Sequence, residues 1–327
     1  MSNKRKRRPS KRERQKQLRW FTLALVVIIA IAWIWLGAGI RELAGISGPQ
    51  PSPRGQALRV VSWNLANFEG ERSGHDLARI QAVIAELDPD VLALQEIKDP
   101  QALAALLPDW ELRVSDKGGR GHQRLAIAWR PDRVTLLDSE EHPQLSIDGR
   151  VRPGLSGYLR GSDGGPDFHL LVVHLKAMPD SLELRREQWP RLLEIAAAMS
   201  ERDRDLLIVG DFNSTGPPGG KPELEHRELE LALGPAGLRR LACATGCTAY
   251  YDGQRRDSWK EPSEIDLMWV RDMAESLSKD AKVHAGTHCA ASRCRDFRST
   301  DAYPVRDYEK VSDHCPLIVD LVRADDD

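Results

Sequence analysis

The sequence has little net charge, few cysteines and no repeated unit. It contains 327 residues, of which 47 are Lys or Arg and 49 are Asp or Glu, so its formal net charge is −2. Only five residues are Cys, and the 25 glycines follow no internal repeat. A chain that is 41% apolar and nearly neutral is not a disordered acidic chain, a collagen-like repeat or a disulfide-dense miniprotein. Its length favours one large domain or two ordinary ones with a substantial core.

The low net charge is the average of two unlike parts of the chain. Residues 1–19 contain ten Lys or Arg and one Glu, a balance of +9, whereas the remainder has 37 basic and 48 acidic residues, a balance of −11. Residues 21–40 carry no charge, and twenty helical residues are long enough to span roughly 30 Å of hydrocarbon. After this segment the nearest basic residues are Arg41 and Arg54. The charge asymmetry and the apolar run together predict a membrane-spanning helix near the N-terminus.

This pattern predicts a single-pass membrane protein. The positive-inside rule places a basic tail at 1–19 in the cytoplasm, a transmembrane signal anchor at 20–41, and everything after residue 41 outside the cytoplasm, facing the periplasm if the source is a bacterium. The basic run could instead be a nucleic-acid tail or a nuclear localisation patch. A cleaved signal peptide is a further alternative, although its h-region usually has about 7–15 residues and no clean A-x-A site follows here.

The rest of the chain has the pattern of one α/β domain. Residues 42–57 are rich in Gly, Pro and Ser, which is typical of a linker. Short apolar runs then alternate with segments of helical periodicity, which predicts a single domain over residues 58–323. The predicted strands are 58–63, 91–95, 125–129, 168–173, 206–209, 265–270 and 317–321, and the predicted helices are 76–86, 100–107 and 182–200.

Unusual polar residues stand at the ends of these apolar runs. A carboxylate in such a run is costly to bury unless it is paired or binds a cation. One such residue would be interpreted as a cap or a satisfied hydrogen-bond partner, but polar residues at six apolar runs together predict one polar cleft. They are Asn64, Glu96 and His174 after three of the runs, Asp211 and Asn213 after a fourth, Asp266 inside a fifth, and Asp313 and His314 before the last.

The chemistry of this cleft favours a hard divalent cation. Glu96, Asp211 and Asp313 offer carboxylate oxygens, and Asn64 and Asn213 offer amide oxygens. Such ligands suit Mg²⁺ or Mn²⁺, whereas Zn²⁺ would favour more His or Cys. The two His residues beside the carboxylates add acid and base capacity near neutral pH.

At these positions the sequence resembles the endonuclease/exonuclease/phosphatase superfamily, which includes deoxyribonuclease I, AP endonucleases, neutral sphingomyelinases and inositol polyphosphate 5-phosphatases. The resemblance implies a four-layer α/β sandwich, in which helices flank two mainly antiparallel sheets, and metal-dependent hydrolysis of a phosphoester. The matching blocks occur in the family's order over residues 58–321, and they are Ser62-Trp63-Asn64, Gln95-Glu96, Val173-His174-Leu175-Lys176, Gly210-Asp211-Phe212-Asn213, Glu264-Ile265-Asp266 and Ser312-Asp313-His314.

The resemblance also implies which residues bind the metal. Glu96 matches the main metal ligand, with Asn64 beside it, and Asp313 matches a further carboxylate of the metal site. A phosphodiester is an anion that repels hydroxide, and a divalent cation such as Mg²⁺ or Mn²⁺ neutralises it.

The catalytic roles implied by the resemblance fall on five residues. His314 matches the general base, and Asp266 matches the carboxylate that orients it. Asp211 and Asn213 match the pair that orients the attacking water and the phosphate. His174 matches the residue that hydrogen-bonds the phosphate or protonates the leaving group.

Two further residues are weaker candidates for substrate contact. Arg152 lies where the family often has a phosphate-contacting Arg, and a surface salt bridge is the alternative. Lys98 lies where deoxyribonuclease I contacts nucleic acid, and a solvated Lys is the alternative.

The cysteines are consistent with an oxidising compartment. Cys243 lies near Cys247 and Cys289 near Cys294, so disulfides are plausible outside the cytoplasm. Four Cys allow three connectivities, and a four-Cys zinc site is a rival whose spacing departs from C-x₂-C. Cys315 is interpreted as a small buried apolar residue.

The sequence leaves three alternative functions for the protein. A membrane-anchored nuclease or phosphodiesterase comes first, although the −11 balance argues weakly against a duplex-DNA surface, which is usually basic. A sphingomyelinase-type lipid phosphodiesterase and a catalytically inactive binding module are the alternatives, and no obligate protein partner is evident. The aromatic and basic segment 247–260 could stack a base or contact phosphates, or be a well-packed loop.

Overall fold

The computed structural model describes residues 57–253 and 257–322. The predicted cytoplasmic tail at 1–19, the anchor at 20–41 and all but the last residue of the predicted linker at 42–57 lie outside the described residues. Within the ranges that are described, no helix has both the length and the apolar character needed to cross a membrane.

Sixteen strands and six α-helices form the described part of the chain. The strands are β1 (Leu58–Phe68), β2 (Val91–Ile97), β3 (Glu111–Val114), β4 (Arg124–Trp129), β5 (Val134–His142), β6 (Gly154–Gly161), β7 (Asp167–His174), β8 (Leu206–Asp211), β9 (Arg239–Arg240), β10 (Ala242–Cys243), β11 (Ala249–Tyr251), β12 (Trp259–Ser263), β13 (Asp266–Arg271), β14 (Lys282–Ala285), β15 (Phe297–Arg298) and β16 (Leu317–Leu321). The helices are α1 (Leu77–Leu87), α2 (Pro100–Leu106), α3 (Leu182–Met199), α4 (Pro222–Leu233), α5 (Thr287–Ser292) and α6 (Arg306–Lys310).

Two large sheets contain most of the strands. The first has the order β10-β14-β16-β1-β2-β4-β3, and the second has the order β5-β6-β7-β8-β13-β9. The pairs β1–β2, β7–β8 and β10–β14 are parallel, and the other pairs in these sheets are antiparallel. A third, small sheet has the order β11-β12-β15. The prediction of mainly antiparallel sheets is confirmed.

Apolar side chains cover both faces of each large sheet. On β1, Val60 belongs to the core between the sheets, while Val61 packs with residues of α1 and α2. On β7, Leu170 faces the same central core, while Leu171 packs with α3 and α4. A strand buried on both faces is a continuous apolar run rather than an alternating one, which is the pattern of these strands. The result is the predicted four-layer sandwich.

Strand register brings separate parts of the chain to one end of the sandwich. In the second sheet, Asp211 is opposite His174 on β7 and opposite Asp266 on β13. In the first sheet, Asn64 on β1 is opposite Gln95 on β2, and both strands continue past the ends predicted from the sequence. The polar residues at the ends of the apolar runs therefore meet at one edge.

Candidate active site

Glu96 is directed into the site by an irregularity in β2. Its backbone adopts the left-handed region with φ 63°, which is uncommon for a residue with a side chain and often marks a functional position. The pairing of β2 with β4 shifts register between Leu94 and Ile97, on either side of it. The Glu96 carboxylate accepts hydrogen bonds from Asn67 N (2.8 Å) and Asn64 Nδ2 (3.3 Å).

Asn64 links two carboxylates. Its Nδ2 donates to Glu96 Oε1 (3.3 Å) and to Asp211 Oδ2 (3.1 Å), while its Oδ1 accepts from Ala66 N (2.9 Å). The side chain is fully buried. In this orientation Asn64 holds Glu96 and Asp211 in place, and a role as a metal ligand through Oδ1 requires its amide to be turned over.

His314 and Asp266 form a hydrogen-bonded pair. His314 Nδ1 donates to Asp266 Oδ2 (2.9 Å), and its Nε2 lies 3.8 Å from Asp211 Oδ2. Burial disfavours the imidazolium, but the charges of Asp266, Asp211 and Asp313 and the hydrogen bond with Asp266 raise the pKa of His314 well above its usual value. Because Nδ1 is hydrogen-bonded to Asp266, the tautomer of the neutral ring is fixed, and Nε2 is the nitrogen that faces the other site residues.

Two hydroxyl residues that sequence reasoning missed position this pair. Thr248 Oγ1 accepts hydrogen bonds from the backbone N–H groups of Ile265 (3.0 Å) and Asp266 (2.9 Å). Ser312 Oγ accepts from His314 N (3.0 Å) and donates to the carbonyl oxygen of Asn64 (2.7 Å). Ser312 stood in a matching block, but Thr248 lies far from every block, so only the structure shows its contact.

Asp211 lies at the centre of the site. Its Oδ1 accepts from Asn213 N (2.8 Å), and Asn213, itself at φ 50°, donates from Nδ2 to the carbonyl oxygen of Leu175 (3.2 Å). Burial raises the pKa of Asp211 to about 7, and the nearby charges of Asp266 and Glu96 act in the same direction against the opposing effect of His314. This carboxylate is therefore held where its negative charge is unfavourable in the absence of a cation.

His174 is a buried neutral imidazole beside the carboxylates. Its Nε2 lies 3.3 Å from Asp211 Oδ2 and 3.7 Å from Glu96 Oε1. Burial lowers the pKa of His174 well below its usual value, and the positive charges of Arg152 and His314 add to the effect. Its Nδ1 has no hydrogen-bond partner among the residues that the structure describes. A neutral imidazole at this position can donate a hydrogen bond to an oxygen of a bound substrate.

The residues present fit a hard divalent cation. Ligand atoms of Asp211, Asp266 and His314 all lie within 4.8 Å of one another, and Glu96 shares Asn64 Nδ2 with Asp211. Buried carboxylates in such a group are stabilised by a cation, and their oxygens suit Mg²⁺ or Mn²⁺.

Among the described residues, Asp313 is not in the close group of possible metal ligands that contains Asp211. It lines a cleft beside Ala66, His75 and Lys310, and its carbonyl oxygen accepts a hydrogen bond from Tyr250 N (2.9 Å). Its charge nevertheless helps to raise the pKa of His314. The structure thus places Asp313 next to the general-base candidate, in the lining of a neighbouring cleft, and its role as a metal ligand stays a prediction.

The two weaker candidates lie at the edge of the site. Arg152 is buried and donates to the carbonyl oxygens of His174 and Leu175; burial lowers its pKa to about 10, while the charges of Asp211 and Glu96 oppose that shift. It is therefore not the surface salt bridge that was the alternative. Lys98 Nζ lies 4.0 Å from a carboxylate oxygen of Glu69.

The cysteines form two disulfides. Cys247 pairs with Cys294, Cys289 pairs with Cys315, and Cys243 is free. The interpretation of Cys315 as only a small apolar residue is wrong, because the fold brings its Cα within 6.1 Å of Cys289 Cα. The four-Cys zinc alternative is also wrong, since three of its four proposed ligands are in disulfides. One disulfide adjoins His314 in sequence, and the other adjoins Thr248.

Comparisons with solved structures find the same fold. The human nocturnin catalytic domain with a bound sulfate anion superposes with a TM-score of 0.55 at 19% identity, covering 82% of this chain and 94% of that one. The mannosyl-6-phosphatase Bt3783 of Bacteroides thetaiotaomicron superposes with a TM-score of 0.57 at 21% identity, covering 81% and 99%.

A curated sequence also matches part of the chain. The phenylalanine–tRNA ligase beta subunit of Xylella fastidiosa is 24% identical over 203 residues, which are 57% of this chain and 26% of that protein. The chain thus spans about a quarter of that relative. The Endonuclease/Exonuclease/phosphatase family matches residues 61–314, which contain every candidate site residue. The chain belongs to this family of phosphoester hydrolases.

Proposed function

We propose that the protein is a membrane-anchored, Mg²⁺- or Mn²⁺-dependent phosphodiesterase of the nuclease type. The observation that carries the proposal is the His314–Asp266 pair, whose Nε2 side faces Asp211. A base, a cluster of oxygen ligands and a neutral imidazole beside them are the parts that metal-assisted ester hydrolysis requires.

When bound, the divalent cation would supply positive charge to the carboxylates and to the phosphoryl oxygens. Residues of the chain would bind the cation, accept the proton of the water and hydrogen-bond the substrate. Glu96, with Asp211 beside it, would hold the cation, and Asn64 keeps these two carboxylates together. In its neutral form His314 accepts the proton of the attacking water at Nε2, and Asp266 stabilises the resulting imidazolium. His174 donates a hydrogen bond to the phosphate or to the leaving oxygen.

The charge of the site favours a diester over a monoester. Arg152 is a cation whose charge acts on both Asp211 and Glu96, and it donates to the carbonyl oxygens of His174 and Leu175. A monoester dianion would bring a second negative charge into this carboxylate-rich site. A singly charged diester needs less compensation, and electrostatic repulsion between buried like charges is costly.

The two disulfides support the proposed location. Disulfides persist in oxidising compartments such as the periplasm and are rare in the cytoplasm. We infer that the predicted anchor at 20–41 places the domain outside the cytoplasm, with the Lys- and Arg-rich residues 1–19 inside. A periplasm-only reporter fused after residue 327 should be active, and a silent reporter would contradict this orientation.

A substrate panel tests the activity. The full chain in detergent should hydrolyse a phosphodiester in Mg²⁺, lose that activity in EDTA, and lose it on His314→Ala substitution. The panel contains DNA and RNA oligonucleotides, sphingomyelin in mixed micelles and a phosphate monoester. Equal rates for the wild type and His314→Ala on every ester would leave only the alternative of an inactive binding module.

A further inference from the structure

The small sheet continues into the catalytic segment. Tyr250 N donates to the carbonyl oxygen of Asp313 (2.9 Å), and Cys315 N donates to that of Thr248 (2.8 Å). Ala249 and His314 are therefore an antiparallel bridge pair. The segment around His314 acts as a fourth strand beside β11, so the general-base candidate lies on the same sheet as β11, β12 and β15.

Pairing determines which side chains share a face with His314. Residues directly opposite each other in antiparallel strands point to the same side, and His314 is opposite Ala249. Tyr251 lies two residues after Ala249 on β11 and therefore points to the same face. Glu261 is opposite Tyr251, and Trp259, two residues before Glu261 on β12, points to that face as well. Arg298, opposite Trp259, completes the set. We name the face formed by Tyr251, Trp259, Glu261 and Arg298 the aromatic face.

The opposite side of this sheet is occupied by the protein itself. Tyr250 is 1% exposed, and its ring lies 4.6 Å from that of Phe297. Lys260 Nζ lies 5.6 Å from the ring of Tyr308 and forms an ion pair with Asp252 (2.8 Å). Since packing anchors one side of the sheet, the aromatic face is the side left to solvent.

The rings on the aromatic face are exposed. Tyr251 is 53% exposed and Trp259 is 45% exposed. The steps from His314 to Tyr251 and from Tyr251 to Trp259 are both diagonal steps between neighbouring strands, which span about 7–8 Å each. The Arg298 guanidinium lies 5.9 Å from the Trp259 ring, and its Nε donates to the neutral Ser258 Oγ (2.9 Å).

We propose that the aromatic face binds single-stranded nucleic acid and guides it to His314. Successive bases of a single strand stack on aromatic side chains, and an Arg on a ring adds cation–π attraction and positive charge for a phosphate. Glu261, opposite Tyr251, accepts a hydrogen bond from Gly253 N at Oε2 (2.9 Å), and its Oε1 can accept one from an exocyclic amine of a base. This proposal names the substrate class of the proposed function and therefore depends on it.

The composition of the face favours nucleic acid over a bilayer. The strands β11, β12 and β15 contain no Leu, Ile, Val or Met, whereas a membrane-binding surface needs apolar area to insert. The Glu261 carboxylate on this face would also be costly to bring into a lipid interface.

The test compares Tyr251→Ala and Trp259→Ala with Leu231→Ala, which removes an exposed apolar side chain (78% exposed) from α4. All variants are full chains in detergent. We expect each ring loss to weaken binding of an unstructured single-stranded oligonucleotide, measured by fluorescence anisotropy in EDTA, about 5- to 150-fold. Hydrolysis of methyl p-nitrophenyl phosphate in Mg²⁺ should be unchanged, and Tyr251→Phe should restore affinity.

The binding and hydrolysis measurements separate the two proposals. If the wild type hydrolyses no ester but the ring variants still lose oligonucleotide affinity, the proposed activity fails and the aromatic face stands. If the ring variants bind and cleave the oligonucleotide as the wild type does, the aromatic face is refuted. It is also refuted if they lose only the hydrolysis of sphingomyelin in mixed micelles, because the rings would then contact lipid.

Discussion

Asp211 is needed for activity but lowers the stability of the folded protein, and replacing it should show both effects. Burial raises the pKa of this carboxyl to about 7 in the folded chain, against roughly 3.9 in an unfolded one. The folded state therefore keeps its proton over a range of pH in which the unfolded state has released it. The resulting penalty is absent below about pH 4, grows as the pH rises and is complete above about pH 7.

The magnitude follows from this shift. Three pKa units correspond to about 4 kcal/mol at most. In Asp211→Asn, Oδ1 can still accept from Asn213 N, but Asn64 Nδ2 loses one of its two acceptors, which costs about 1 kcal/mol. We therefore expect the metal-free variant to be about 1–3 kcal/mol more stable at pH 8, or about 2–6 °C in Tm, while its hydrolase activity is lost.

Thermal unfolding in EDTA, followed by tryptophan fluorescence, measures the difference. The gap between Asp211→Asn and the wild type should shrink as the pH is lowered from 8 to 5. Mg²⁺ should stabilise the wild type more than the variant, since a cation offsets the buried charge. Asp109→Asn, which changes an exposed carboxyl, is the matched control and should leave Tm unchanged. A variant no more stable than the wild type at pH 8, or a gap that widens on acidification, would refute the reasoning.

Three other predictions test the support of the site. Asp266→Asn should lower kcat about 10- to 100-fold. Because Asp266 raises the pKa of His314, the acid limb of the pH–rate profile should also move to lower pH, and an unmoved limb would contradict the pairing of these two residues. Glu96→Gln should raise the Mg²⁺ concentration for half-maximal activity at least tenfold, and an unchanged metal titration would exclude Glu96 as a ligand. Cys289→Ser should lower the free energy of unfolding, measured in urea, by about 2–4 kcal/mol. Cys243→Ser removes a free thiol and should cost far less. Equal losses would contradict the disulfide pairing.

The strands that sequence reasoning predicted lie in the buried middle of the two large sheets, and the long helix was predicted from the helical spacing of its buried apolar residues. The run at 317–321 is a strand with the predicted bounds, and the helix predicted at 182–200 covers Leu182–Met199. Each places apolar side chains in a core cluster, on the strand in a continuous run and on the helix at helical spacing. Elements with weaker signals were missed. In β5 the exposed residues of Val134–His142 alternate with half-buried ones, and α4 has a highly charged sequence with few buried positions.

The site shows a similar division between local and long-range information. The residue types at the strand ends pointed to a polar cleft, and the register of β8 with β7 and β13 does bring His174, Asp211 and Asp266 together. No local pattern carries the orientation of the Asn64 amide, because that depends on two carboxylates from other strands. The partner of Cys315 likewise depends on how α5 packs beside β16.

The small sheet explains why these long-range features occur together. Cys247 and Thr248 precede β11, whose bridge to His314 places the general-base candidate opposite Ala249. The Cys289–Cys315 disulfide then fixes the other end of the same segment. Because His314 and the aromatic face belong to one sheet, a change that loosens this sheet should impair catalysis and substrate binding together, whereas the loss of a single exposed ring should impair binding alone.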